Sequence, residues 1–231
     1  MDGCSYYRRR VTTRPVLPYD DRGEGPALFF VHGFLNDASV WTAVIDELET
    51  DFRCIAVDLP GHGRSPGNGA GTYGRDLVLG DLRAVMDETE CGPVVMVGHS
   101  LGGYLSLAMA IEDPHRVTGL GLVGAGPGFR NPDSREQWND SVRTLAAERD
   151  LPEGMEVISM HVDAMVMDRM SEIQVPATVI VGERDKRFMA SADVFEKYLN
   201  VSGRTVVPDA GHMVHVKGAP GVAAALRASF G

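Results

Sequence analysis

The chain has 231 residues, 44% of them hydrophobic, with 22 basic against 32 acidic side chains for a formal charge of −10. That size suits one large domain, or one domain carrying an insertion; the acid excess argues against a nucleic-acid partner, and no stretch approaches the ~20 apolar residues of a membrane helix. Cys4, Cys54 and Cys91 are widely spaced, suiting neither a disulfide framework nor a CxxC pair and in keeping with a reducing cytoplasm. The first ten residues are basic but lack an apolar core, so no secretory signal is read there, and Arg8, Arg9 and Arg10 are read as a solvated arm or early strand.

One or two short strands are expected before Ala27. From there, apolar runs of strand length alternate with helical patterns. Residues 27–31 end at His32-Gly33 and are followed by a helix over 38–49; residues 54–57 end at Asp58-Leu59-Pro60-Gly61 and, after a Gly-rich loop, lead to a helix over 76–90. Residues 94–97 run into Gly98-His99-Ser100 and a helix over 101–112, and 120–123 form the next run. Runs at 177–181 and 204–207 precede helices over 190–199 and 218–230. Continuous Val/Ile/Leu runs read as strands buried on both faces, and their alternation with helices predicts an α/β fold with a mostly parallel sheet. The rhythm breaks between 129 and 172, where two helical patterns (134–148 and 153–170) stand without a strand. The division expected is a core of residues 1–128 and 173–231 with a helical cap insertion of residues 129–172. Five methionines in the second pattern suggest either a pliable pocket lining or packing against the core.

Gly98-His99-Ser100-Leu101-Gly102 is G-x-S-x-G between a strand and a helix, a setting that forces a sharp turn and lifts the serine hydroxyl clear of the sheet. A serine used this way needs a base and an acid to orient the base, expected later in the chain in the order acid, then histidine. Asp185 follows the 177–181 run and His212 follows the 204–207 run, so both fall at the strand ends where Ser100 lies. Glu183 is the rival acid and His215 the rival base. Asp58 reads as a turn stabiliser, and Asp209 stands too near His212 to orient its ring. Backbone donors for a developing oxyanion are expected from Leu101 and from the loop after the first buried strand: Phe34, with Leu35 as alternative.

His32-Gly33-Phe34, Asp58 to Ser65, Gly98 to Gly103, Gly182 to Asp185 and Ala210-Gly211-His212 together resemble the α/β-hydrolase fold superfamily, in particular its small carboxylesterases and carbon–carbon-bond hydrolases. The resemblance implies a catalytic triad of Ser100, Asp185 and His212, an oxyanion hole from Phe34 and Leu101, and a helical cap after the sixth strand. The activity it implies is hydrolysis of a small-molecule ester, thioester or lactone through an acyl-enzyme on Ser100. Alternatives are carbon–carbon cleavage of a vinylogous diketone, for which Arg130, Arg135, Arg143 or Arg169 could hold a substrate carboxylate, and a receptor with no turnover. No metal site or cofactor is expected, since the chain has no H-E-x-x-H, no cysteine cluster and no helix-opening G-x-G-x-x-G.

Overall fold

Runs such as Ala27–Val31 are apolar at every position because both faces of their strand are covered. Leu28 and Phe30 point into one core, Phe29 and Val31 into another, and all four are fully buried. In the computed structural model, which describes residues 15–67 and 69–231, the strands are β1 (Tyr19–Arg22), β2 (Ala27–Val31), β3 (Arg53–Val57), β4 (Val94–His99), β5 (Val117–Val123), β6 (Pro176–Gly182) and β7 (Asn200–Val207). They form one sheet in the order β1-β3-β2-β4-β5-β6-β7. Every neighbouring pair is parallel except β1–β3. Among the described residues one short strand precedes Ala27, within the one or two expected. Cys4 and the Arg8–Arg10 arm lie outside the described residues.

Helices α2 (Arg75–Glu88), α3 (Leu101–Glu112) and α6 (Lys186–Tyr198) cover one face, with Leu82, Leu105 and Phe195 among the side chains they bury. On the other face lie α1 (Thr42–Leu48), the short α7 (Val214–Lys217) and α8 (Ala219–Phe230), which bury Ile45, Val214 and Leu226. The expected helix over 38–49 divides into a 3-10 turn, Ala38–Trp41, and α1; Asp37 caps the turn by accepting from the Ser39 N–H. β7 is longer than expected. It is an edge strand whose residues alternate between exposed and half-buried until Val207, so the apolar run marks only its end.

Residues 129–172 lie between β5 and β6, so the segment follows the fifth described strand, not a sixth. Its first helix, α4 (Pro132–Glu148), starts two residues before the expected 134: Asn131 accepts from the Asp133 and Ser134 N–H groups, and Pro132 takes a first-turn position that lacks a partner in any case. The second helical pattern does not form one helix. It breaks into a 3-10 turn (Met155–Ser159), α5 (Met165–Arg169) and another 3-10 turn (Met170–Glu172). The break follows from side chains of α4 that capture its backbone. Asn139 donates to the His161 carbonyl and accepts from the His161 N–H, while the Trp138 Nε1–H donates to the Ser159 carbonyl. Of the five methionines, Met155 and Met170 are buried in the core, and Met160 faces a cavity. No helix among the described residues is long and apolar enough to cross a membrane, and no cluster of metal-ligating side chains occurs among them.

Candidate active site

The strand-to-helix turn at Ser100 is as sharp as its glycines predict. Ser100 has φ +52° and ψ −112°, a left-handed backbone that a non-glycine residue adopts only when its surroundings enforce it. Here they do. The Ser100 N–H donates to the Val123 carbonyl, and its own carbonyl accepts from Gly103 and Tyr104. A Cβ on Gly102 would lie 2.0 Å from the Val31 carbonyl oxygen, so only glycine lets α3 start this close to β2. The Leu101 N–H is the first of α3 and has no acceptor within the helix.

The loop after β2 reaches the same point. A Cβ on Gly33 would lie 2.7 Å from His99 Nδ1 and 3.3 Å from the Ser100 Cβ, which places the Gly33–Phe34 peptide beside the serine. Leu35 takes φ +63°, turning the loop back so that the Asn36 N–H reaches the Gly33 carbonyl. His32 anchors the loop: its Nδ1–H donates to the Gly33 carbonyl and its Nε2 accepts from the Leu59 N–H. That arrangement requires the neutral ring, and burial pushes its pKa down to about 4.

Asp185 sits between β6 and α6, and His212 between β7 and α7. The His212 Nδ1–H donates to Asp185 Oδ2 at 2.8 Å, and the carboxylate is almost fully buried. The imidazole packs against Phe188, stacked at 4.6 Å and 16°, and against the tilted His99 ring at 4.7 Å. His99 also donates from Nε2 to the His212 carbonyl at 2.9 Å. The rivals are occupied elsewhere. Glu183 accepts from the Asp209 N–H, Asp209 pairs with Arg184, and Asp58 accepts from the Ala38 N–H and from Arg64. Burial works to raise the Asp58 pKa, but those hydrogen bonds hold it below the usual carboxylate range. His215 is fully buried between Trp41 and His99.

A family model described as the alpha/beta hydrolase fold matches residues 26–156, more than half of the chain. The chain belongs to that family. It is 27% identical over 256 residues to a Bacillus subtilis (strain 168) protein provisionally named 2-succinyl-6-hydroxy-2,4-cyclohexadiene-1-carboxylate synthase, a match covering 90% of this chain and 92% of that one. It is 24% identical to "Protein PHYLLO, chloroplastic" of Arabidopsis thaliana over 98% of its own length, and it spans 16% of the plant protein. A thermophilic esterase from Thermogutta terrifontis, solved with malate bound, superposes with a TM-score of 0.78 and 25% identity over 92% of each chain.

In this α/β hydrolase a cleft opens above Ser100 as two lobes. Ser100, Trp138, Ser159 and Arg187 line both. One lobe adds Gly33, Phe34 and His212; the other adds Tyr104, Phe129, His161 and Phe188. His161 had no motif to mark it, yet it is buried against Tyr104, Phe129 and Trp138, and burial pushes its pKa down to about 4. The arginines considered for a substrate carboxylate are spent elsewhere. Arg130 pairs with Asp168, Arg143 with Glu136 and Asp140, and Arg169 with Glu112 and Glu172. Arg135 donates to the Phe129 carbonyl. The arginine that does line the cleft, Arg187, comes from α6.

Proposed function

We propose that this α/β hydrolase is a serine ester hydrolase that acts on small to medium acyl substrates in the cytoplasm. Ser100 Oγ attacks the ester carbonyl while His212 Nε2 takes its proton. Asp185 holds the proton on Nδ1 and stabilises the imidazolium, and the alcohol leaves with the proton His212 returns. Water then attacks the acyl-enzyme by the same route and releases the acid. The oxyanion is received by the N–H groups of Leu101 and Phe34. The reading of Phe34 is supported by the approach of its preceding peptide to the Ser100 Cβ.

The observation that carries this reading is the strained Ser100 sharing a cleft with a histidine whose other nitrogen is bonded at 2.8 Å to a buried carboxylate. The two lobes, about 160 and 260 Å³, together make a cleft toward the lower end of the ~300–1,000 Å³ usual for drug-sized ligands, in keeping with a small to medium acyl substrate. A fluorophosphonate should add once to the wild type and not to Ser100→Ala, as read by intact mass, and the substitution should cut ester turnover by about 10³-fold or more. A folded wild type that takes no adduct would overturn the assignment.

A second reading is favoured by the match over nearly the whole length of the B. subtilis protein: a reaction at the same residues on a substrate that is not an ester. Labelling of Ser100 without hydrolysis of any ester, thioester or lactone would support it.

A further inference from the structure

Among the described residues Arg187 is the one arginine lining the cleft, and none of them neutralises it. Its guanidinium carbon lies 4.4 Å from the centre of the Trp138 ring. Stacking of this kind fixes the guanidinium plane while leaving its N–H edge open to a planar partner. Among the described residues no carboxylate stands within ion-pair distance of it, whereas Arg130, Arg143, Arg169, Arg184 and Arg204 each hold one or two.

The charge of the surroundings sharpens the contrast. The chain has ten more acidic than basic side chains. Yet among the described residues neither lobe has an aspartate or a glutamate in its lining, and Arg187 lines both. Asp185, the nearest acid in sequence, is buried and turned onto His212. The described lining of the cleft is thus a positive spot on an acidic molecule, with the exposed Arg187 side chain resting on Trp138 at its wall. One helical turn beyond Arg187 in α6, the Ser191 hydroxyl lines the same lobe as His161.

We propose that Arg187 is a specificity residue that recognises a carboxylate on the substrate, so that the ester taken by this cleft is a half-ester of a short dicarboxylic acid or a close analogue. The guanidinium edge donates two N–H bonds to the carboxylate oxygens in a bidentate pair, and Trp138 holds the guanidinium in place. This rests on the reading of the Ser100 cleft as the active site.

The test compares monomethyl adipate with methyl hexanoate, esters of equal chain length that differ by one terminal carboxylate, followed by pH-stat. Wild type should favour monomethyl adipate in kcat/KM. In Arg187→Gln that preference should fall by about tenfold or more, mostly through KM, the size expected when a charge-assisted pair is lost. Arg187→Lys should restore it only in part, since an ammonium keeps the charge but not the planar fork. A wild-type ratio near one, or a ratio unchanged in Arg187→Gln, would overturn the proposal. Calorimetry of monomethyl adipate with Ser100→Ala, alone and combined with Arg187→Gln, needs no turnover. Binding weakened about tenfold by the second substitution supports the carboxylate site even if neither ester is hydrolysed, and in that case only the ester reading fails. Equal affinity of the two variants would overturn the site itself.

Discussion

Asp185 and Glu183 both follow β6, two residues apart, and only Asp185 reaches His212. Its carboxylate is buried and bonded to Nδ1 at 2.8 Å, whereas Glu183 turns outward to bind the Asp209 N–H. Asp185→Asn should therefore lower kcat by about 10²–10⁴-fold, because the amide can present an N–H to Nδ1 and favour the wrong tautomer. Glu183→Gln should lower it far less, and the reverse order in steady-state kinetics would assign the acid to Glu183. At this scale the sequence is legible wherever a residue's position follows from its own turn. Ser100, Asp185 and His212 each stand at the end of a strand in a short glycine-marked turn, so neighbouring residues announce them. Arg187 and His161 are not legible. What brings Arg187 into the cleft is Trp138, 49 residues earlier on a different element, and His161 is placed by two bonds from Asn139. Contacts of that kind leave no local pattern.

Between α4 and the segment that follows it, Asn139 is the main tie. It is buried and satisfies both the N–H and the carbonyl of His161, which a helix through 153–170 would have used within itself. Asn139→Ala strands two buried backbone groups at about 1–3 kcal/mol each, so the melting temperature should fall by several degrees. Hydrogen exchange should quicken at residues 155–163 and remain slow in β4 and β5. Uniform quickening through the sheet would mean the segment does not open separately. The same bonds explain why the broken helix could not be read ahead of the structure: periodicity reports which face is apolar, not which backbone groups a distant side chain will claim. The buried strands were legible for the opposite reason. β2 and β4 are covered on both faces, so each of their residues from Leu28 to Val31 and from Val94 to Val97 had to be apolar. β7, half-exposed at the sheet edge, met no such demand, and only its last residues stood out.

Across the whole molecule, five histidines are buried in a state that resists protonation. Burial pushes His32 and His161 down to about 4 and His215 to about 3; it also lowers His62, and it holds His99 well below the ordinary imidazole range, with His215 and His212 adding to the effect. Each ring would titrate near 6.5 in the unfolded chain. The unfolded state therefore binds more protons than the native one at any pH between about 6.5 and 4, and stability must fall as the pH drops through that window. Each histidine contributes a slope of about 1.4 kcal/mol per pH unit once its unfolded form is protonated. Asp58 and Asp163, held below the usual carboxylate range, add to the loss only nearer pH 4. Urea unfolding from pH 8 to 4.5 should thus show a plateau above about pH 7 and a steep decline below pH 6.5, with several protons taken up on unfolding at pH 5. His215→Phe keeps a ring between Trp41 and His99 but removes one titrating group, so the slope at pH 5 should lessen by about one proton wherever the plateau lies. A stability that stays level down to pH 4.5 would mean these rings are protonated in the native state, which the bond from the Leu59 N–H to His32 Nε2 does not permit.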